Sequence, residues 1–105
     1  MSSLRIISKR RLKEFWATHP KAKNPLERWY EITETIHWKN FKEVRQTFGS
    51  VDQTKVESGH TIVIFDIGGN KYRMIAAIHY NIGRVFVLRI MTHAEYDENK
   101  WRNEL

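Results

Sequence analysis

The spacing of apolar residues changes twice along this chain. Leu4-Arg5-Ile6-Ile7 is a short apolar run that reads as an edge or first strand. Ser8 can cap a helix after it, in which Leu12, Phe15 and Trp16 at i, i+3 and i+4 form one stripe. His19-Pro20 ends that helix, because the residue before proline is pushed out of the α region. Asn24-Pro25-Leu26-Glu27 predicts a new start: Asn24 as cap, Pro25 at the first helical position and Glu27 closing a capping box. Leu26, Trp29, Tyr30, Thr33 and Ile36 then mark its buried face. Asn40 to Glu43 repeats the cap signal, and Phe41, Val44 and Phe48 give a short helix closed by Gly49.

Beyond that point the period shortens to two. Ser50 to His60 is polar, has no clear period and reads as an exposed loop. Thr61 to Ile67 is apolar and β-branched, hence a strand, and Gly68-Gly69-Asn70 turns it into the next. Tyr72, Met74, Ala76, Ile78 and Tyr80 alternate with Lys71, Arg73, Ile75, Ala77 and His79. Phe86, Leu88 and Ile90 alternate likewise with Val85, Val87, Arg89 and Met91. Asn81-Ile82-Gly83 supplies the turn between them, since Asn and Gly tolerate positive φ. The predicted fold class is α+β, an antiparallel-dominated sheet with N-terminal helices on one face and the other face open to a ligand.

A three-residue turn at 81–83 sets Tyr80 opposite Arg84, Arg73 opposite Met91 and Lys71 opposite His93. Lys71, Arg73, Arg89 and His93 then gather toward one end of one face, while Tyr72, Met74, Ile78, Phe86, Leu88 and Ile90 line the core face. A two-residue turn would shift the register by one and scatter the cluster. Whether Asp66 joins it depends on the length of the turn at 68–70.

Composition narrows the chemistry. With 105 residues the chain reads as one domain, 1–105, large enough to bury roughly two-thirds of its unfolded surface. No apolar stretch nears the ~20 residues of a membrane span, and no secretory signal is expected. Cysteine is absent, which removes disulfides and thiolate chemistry and fits a cytoplasmic setting. The net charge of +6 suits phosphate polymers or acidic proteins, although ordinary solubility accounts for the same value.

His19, His37, His60, His79 and His93 show no metal-ligand spacing, and no Gly-x-Ser-x-Gly elbow occurs. No cofactor is expected. Metal-free phosphodiester cleavage remains. Attack by a ribose 2′-hydroxyl needs a base, cations for the transition-state charge and an acid for the leaving oxygen. His93 suits proton transfer near neutral pH. Lys71 and Arg73 can hold phosphate, and Tyr96, three residues after His93 on a helical spacing, reaches the same pocket. These four are the candidate catalytic residues. Arg89, Lys9, Arg10, Arg11 and Lys100 are candidates for RNA binding. Each has a plain alternative: a rim residue with a buried stem for Arg89, a strand-end cap for His93, core closure for Tyr96 and Trp101, a solvated helix face for Lys9 to Arg11. A non-enzymatic RNA- or protein-binding module would use the same residues.

Arg5-Ile6-Ile7-Ser8, Phe15-Trp16 followed by His19-Pro20, Pro25-Leu26 with Trp29-Tyr30, Gly69-Asn70-Lys71-Tyr72-Arg73 and Thr92-His93-Ala94-Glu95-Tyr96-Asp97 resemble the HigB family of toxins, within the RelE-like superfamily. The similarity covers nearly the whole chain; Met91 stands where the family pattern has Gly. The resemblance implies a compact RelE-like fold and mRNA cleavage on a translating ribosome. It also implies neutralisation by a HigA antitoxin with a helix-turn-helix domain, through which alone the toxin meets operator DNA. By position, Lys71, Arg73, His93 and Tyr96 match the basic and aromatic residues such toxins carry on their last strands and tail.

Overall fold

The computed structural model describes residues 5–7, 9–69 and 71–105. The expectations placed on Leu4, Ser8 and Asn70 lie outside the described residues. Five strands form one sheet in the order β1-β5-β4-β3-β2. They are β1 (Arg5–Ile7), β2 (Val51–Lys55), β3 (Thr61–Ile67), β4 (Tyr72–His79) and β5 (Arg84–Thr92). Among the described residues only β1 pairs in parallel, with β5. Helices α1 (Lys9–Thr18), α2 (Lys23–Glu34) and α3 (Phe41–Thr47) precede β2, and α4 (His93–Asp97) and α5 (Trp101–Glu104) follow β5. This is the expected α+β class, with an antiparallel-dominated sheet. Among the described residues no helix is long and apolar enough to cross a membrane.

The long first helices cover one face. Leu12 of α1, Leu26 and Trp29 of α2 and Val44 of α3 meet Val63, Phe65, Ile67, Met74, Ala76, Val85 and Val87 in a single core. The edge of Trp29 meets Phe65 at 5.4 Å between ring centroids, and Trp38 stacks on the same ring. Asn40 caps α3 as its spacing predicts, accepting from the Glu43 N–H at 3.1 Å. The start of α2 differs. Pro20–Ala22 forms a 3-10 turn that runs straight into α2 at Lys23, and no side chain caps it. Asn24 and Pro25 therefore sit inside the first turn, where the missing proline N–H has no intrahelical partner to lose.

The polar segment after α3 is not a loop. Val51–Lys55 is an edge strand paired with β3, Val51 opposite Phe65 and Lys55 opposite Thr61. Its residues are mostly polar because an edge strand of this sheet buries little; Val51 is the member that enters the core. Gly68 and Gly69 (φ +65° and +71°) supply the left-handed turn into β4.

The second face is not fully open. Val56, Ile62, Ile64, Ile75, Met91 and Trp101 form a smaller core there, with Leu88, Tyr96 and Leu105 packed on it. Helix α5 closes this core. It is tied to the β2–β3 turn by Glu57 N–H to Arg102 O at 3.0 Å and by the Ser58 hydroxyl to Leu105 O at 2.8 Å.

Strands β4 and β5 explain two further differences. His79 pairs with Arg84, so the turn has four residues, Tyr80 to Gly83, and Tyr80 does not face Arg84. A bulge at Leu88 then inserts one residue, and from Ile75–Arg89 onward the pairing is the expected one: Arg73 opposite Met91, Tyr72 opposite Thr92. The two one-residue offsets cancel. Between them the faces are exchanged, as a one-residue slip requires. Val85 and Val87 enter the helix-side core, whereas Phe86 and Leu88, expected there, lie on the other side.

Candidate active site

The candidate residues converge where β4 begins and β5 ends. The His93 N–H donates to Lys71 O at 3.1 Å, which extends the ladder one step past Tyr72–Thr92 and sets these two residues opposite each other. Helix α4 starts there because Thr92 and Glu95 form a capping box. The Thr92 hydroxyl accepts from the Glu95 N–H at 3.2 Å, and a Glu95 carboxylate oxygen accepts from the Thr92 N–H at 2.9 Å. Asn99 in the left-handed region (φ 62°) ends the segment. His93 is thus the first residue of a short helix fixed at both ends, with its imidazole about half exposed and 2.9 Å from the Asp97 carboxylate through Nδ1.

Arg73, two residues along from Lys71 and opposite Met91, lies on the second face. Asp66 pairs with Arg73 across β3–β4, Nε to Oδ1 3.1 Å, so the turn length does bring Asp66 into the group. Arg73 is 11% exposed, donates from Nη1 to Tyr72 O and stands over the Tyr96 ring at 5.4 Å. Tyr96 in turn stacks on Trp101 at 5.2 Å and 12°, and its carbonyl accepts from the Trp101 indole N–H at 3.0 Å. Burial pushes the Tyr96 phenol above its ordinary pKa, against the lowering fields of Arg102 and Arg73. A phenol so placed holds its proton at neutral pH and can donate a hydrogen bond, but is unsuited to act as a base.

The other candidates are placed elsewhere. Arg89 faces the second core two residues up the strand and pairs with Glu104. Lys100 pairs with Glu98 at 3.4 Å. Both line a shallow cleft with Glu95, Glu98 and Glu104, so that surface is mixed in charge. Lys9, Arg10 and Arg11 are exposed at the start of α1, roughly 10–14 Å along its axis from the end that approaches the site. Lys9 caps the Tyr30 ring at 4.5 Å and Arg10 pairs with Glu14 at 3.1 Å.

Three neighbours were not among the sequence candidates. Asp66 and Asp97 hold Arg73 and His93. Asp97 was available to the i, i+4 rule, whereas Asp66 depended on a turn length that spacing does not reveal. His19, read only as a helix terminator, stacks on Phe15 at 4.3 Å, contacts the Tyr72 ring edge-on at 6.0 Å and shares a 3.0 Å hydrogen bond with the Thr18 hydroxyl through Nδ1.

The geometry can be set beside known proteins. Residues 22–99 match the family model described as HigB toxin, the RelE-like toxic component of a toxin–antitoxin system. The chain is 32% identical over 95 residues to a protein of Escherichia coli O6:H1 named mRNA interferase HigB, covering 90% of each. It is 26% identical over 94 residues to an mRNA interferase HigB of Shigella flexneri, covering 90% of this chain and 88% of that one.

Proposed function

The chain belongs to the HigB family of RelE-like toxins, and from that membership we propose that it is a ribosome-dependent mRNA endonuclease. The observation that carries the proposal is the convergence of Lys71, His93, Arg73 and Tyr96 at one end of the β4–β5 ladder. In the proposed reaction a ribose 2′-oxygen attacks the adjacent phosphorus, forming a 2′,3′-cyclic phosphate and expelling the 5′-oxygen of the next nucleotide. His93 accepts the 2′-hydroxyl proton in its neutral form. Lys71, exposed beside it, steadies the phosphate charge and supplies the proton to the leaving oxygen. Arg73, committed to Asp66, contributes fixed positive charge and holds Tyr96. Tyr96, its phenol kept protonated, donates to the RNA rather than acting as a base.

Docking on the ribosome falls to the exposed cations of α1, Lys9, Arg10 and Arg11, against acidic rRNA; Arg89 and Lys100 are secondary contacts at the tail. The partner is a HigA antitoxin with a helix-turn-helix domain, and operator DNA is met only through it. The setting is cytoplasmic, and the whole chain acts as one toxin domain.

The test is expression of wild-type and His93→Ala chains in a bacterial host, with circular dichroism of the purified variant. Wild type should arrest growth and cleave translated mRNA, and co-expression of the neighbouring antitoxin gene should relieve the arrest. His93→Ala should fold normally and lose at least about a hundredfold in cleavage, the low end of what a positioned acid–base group contributes. Full cleavage by a folded His93→Ala chain would remove His93 from the mechanism.

A further inference from the structure

We infer that Asp97 is a positioning residue for His93, selecting which imidazole nitrogen meets the RNA. The inference rests on the reading of His93 as the general base. A neutral imidazole carries one proton, and the nitrogen without it is the base. Asp97 Oδ2 lies 2.9 Å from Nδ1, one helical turn along α4. A carboxylate accepts only, so this contact requires the proton on Nδ1 and leaves the Nε2 lone pair available. Imidazole in water favours the other tautomer, with the proton on Nε2 and no base at that edge. The Asp97 contact reverses that preference at the position where the proton is to be taken.

Three features of α4 make the pair more than a chance surface contact. The capping box of Thr92 and Glu95 fixes the first turn, so the interval from His93 to Asp97 is set by the backbone. The His93 N–H is tied to Lys71 O, so the helix cannot rotate about its own axis without breaking the ladder. Asn99 N–H to Tyr96 O at 3.1 Å closes the far end, and Tyr96 is anchored on Trp101. The other acids of this segment are engaged elsewhere: Glu95 with Thr92 and Glu98 with Lys100. Both members of the pair are substantially exposed, so its value to stability is small. Its consequence is the orientation and tautomer of one ring.

The experiment is nitrogen-15 NMR of the His93 ring in the purified chain, beside single-turnover cleavage of mRNA on programmed ribosomes, for wild type, Asp97→Ala, Asp97→Glu and His93→Ala. Wild type should show a protonated Nδ1 and an unprotonated Nε2 in the neutral ring. Asp97→Ala should move the proton toward Nε2 and slow the cleavage step by roughly tenfold or more, with ribosome affinity unchanged. Asp97→Glu, which can still reach Nδ1, should restore part of both. An unchanged ring signal and an unchanged rate in Asp97→Ala, with His93→Ala inactive, would overturn the inference and leave the base assignment standing. An active His93→Ala would overturn the base assignment itself.

Discussion

Arg73 shows how one side chain can be read correctly in position and differently in role. Its alternation places it on the second face, and it is there, but its side chain is 11% exposed and its guanidinium pairs with the Asp66 carboxylate. A partly buried charge keeps its place when partnered. Lys71, at the same end of the ladder, is the exposed cation there, and sequence alone ranks it no higher. Replacing either member of the Asp66–Arg73 pair by alanine should cost about 1–2 kcal/mol, and the double variant should cost less than the sum. Urea unfolding of the four chains measures this. A coupling energy near zero would mean that the pair does not hold Arg73, and with it the edge of Tyr96, in place.

At the scale of elements, most of the fold was legible, and the misses fall where a segment buries little or could be buried on either face. Apolar spacing found α1, α3, β3, β4 and β5, because each buries one stripe or one alternate set. It missed β2, since an edge strand with solvent on one side is held by its backbone bonds to β3 and needs few apolar side chains. It missed the bulge at Leu88, since Val85 to Leu88 is an unbroken apolar run in which either alternate set could enter the helix-side core. That error left the site end intact only because the longer turn offset it. Helix α4 is the element on which the candidate site most depends, and it starts at the capping box of Thr92 and Glu95, a spacing that the reading of that block did not use. Thr92→Ala removes both the acceptor for the Glu95 N–H and a donor to its carboxylate, a loss of about 1 kcal/mol. Thermal melting should register that as a fall of roughly 4–8 °C. Cleavage should fall as well, because His93 is the first residue after the cap. A variant with lowered melting and undiminished cleavage would show that His93 does not need a fixed helix start.

The whole molecule is three layers, not two, and this changes what the C-terminal segment does. A chain read as helices on one side of a sheet leaves the other side for ligand; here the last residues cover the part of it around Ile64, Ile75 and Met91, and the rim at the start of β4 stays accessible. The signal for that layer was too short to read as a period, since α5 contributes a single large side chain. Trp101 is 1% exposed, sits on Ile62, Ile64, Ile75 and Met91, and carries Tyr96 on its face. Its replacement by alanine removes a large buried aromatic, at a cost of about 3–5 kcal/mol out of the roughly 5–15 that hold a domain of this kind. The loss should concentrate on one side of the sheet. In hydrogen exchange the amides of α5 and the β2–β3 turn, joined through Glu57 to Arg102, should lose protection first, while those of α2 and β3 keep theirs. Tyr96 should lose its stacked support, so cleavage should drop even at temperatures where the helix-side core is intact. Trp101→Phe, which keeps an aromatic platform and loses the indole hydrogen bond to Tyr96 O, should recover most of the stability and part of the activity. If Trp101→Ala instead loosened both faces equally, the two cores would be one cooperative unit, and the tail could not be treated as a separate support for the site.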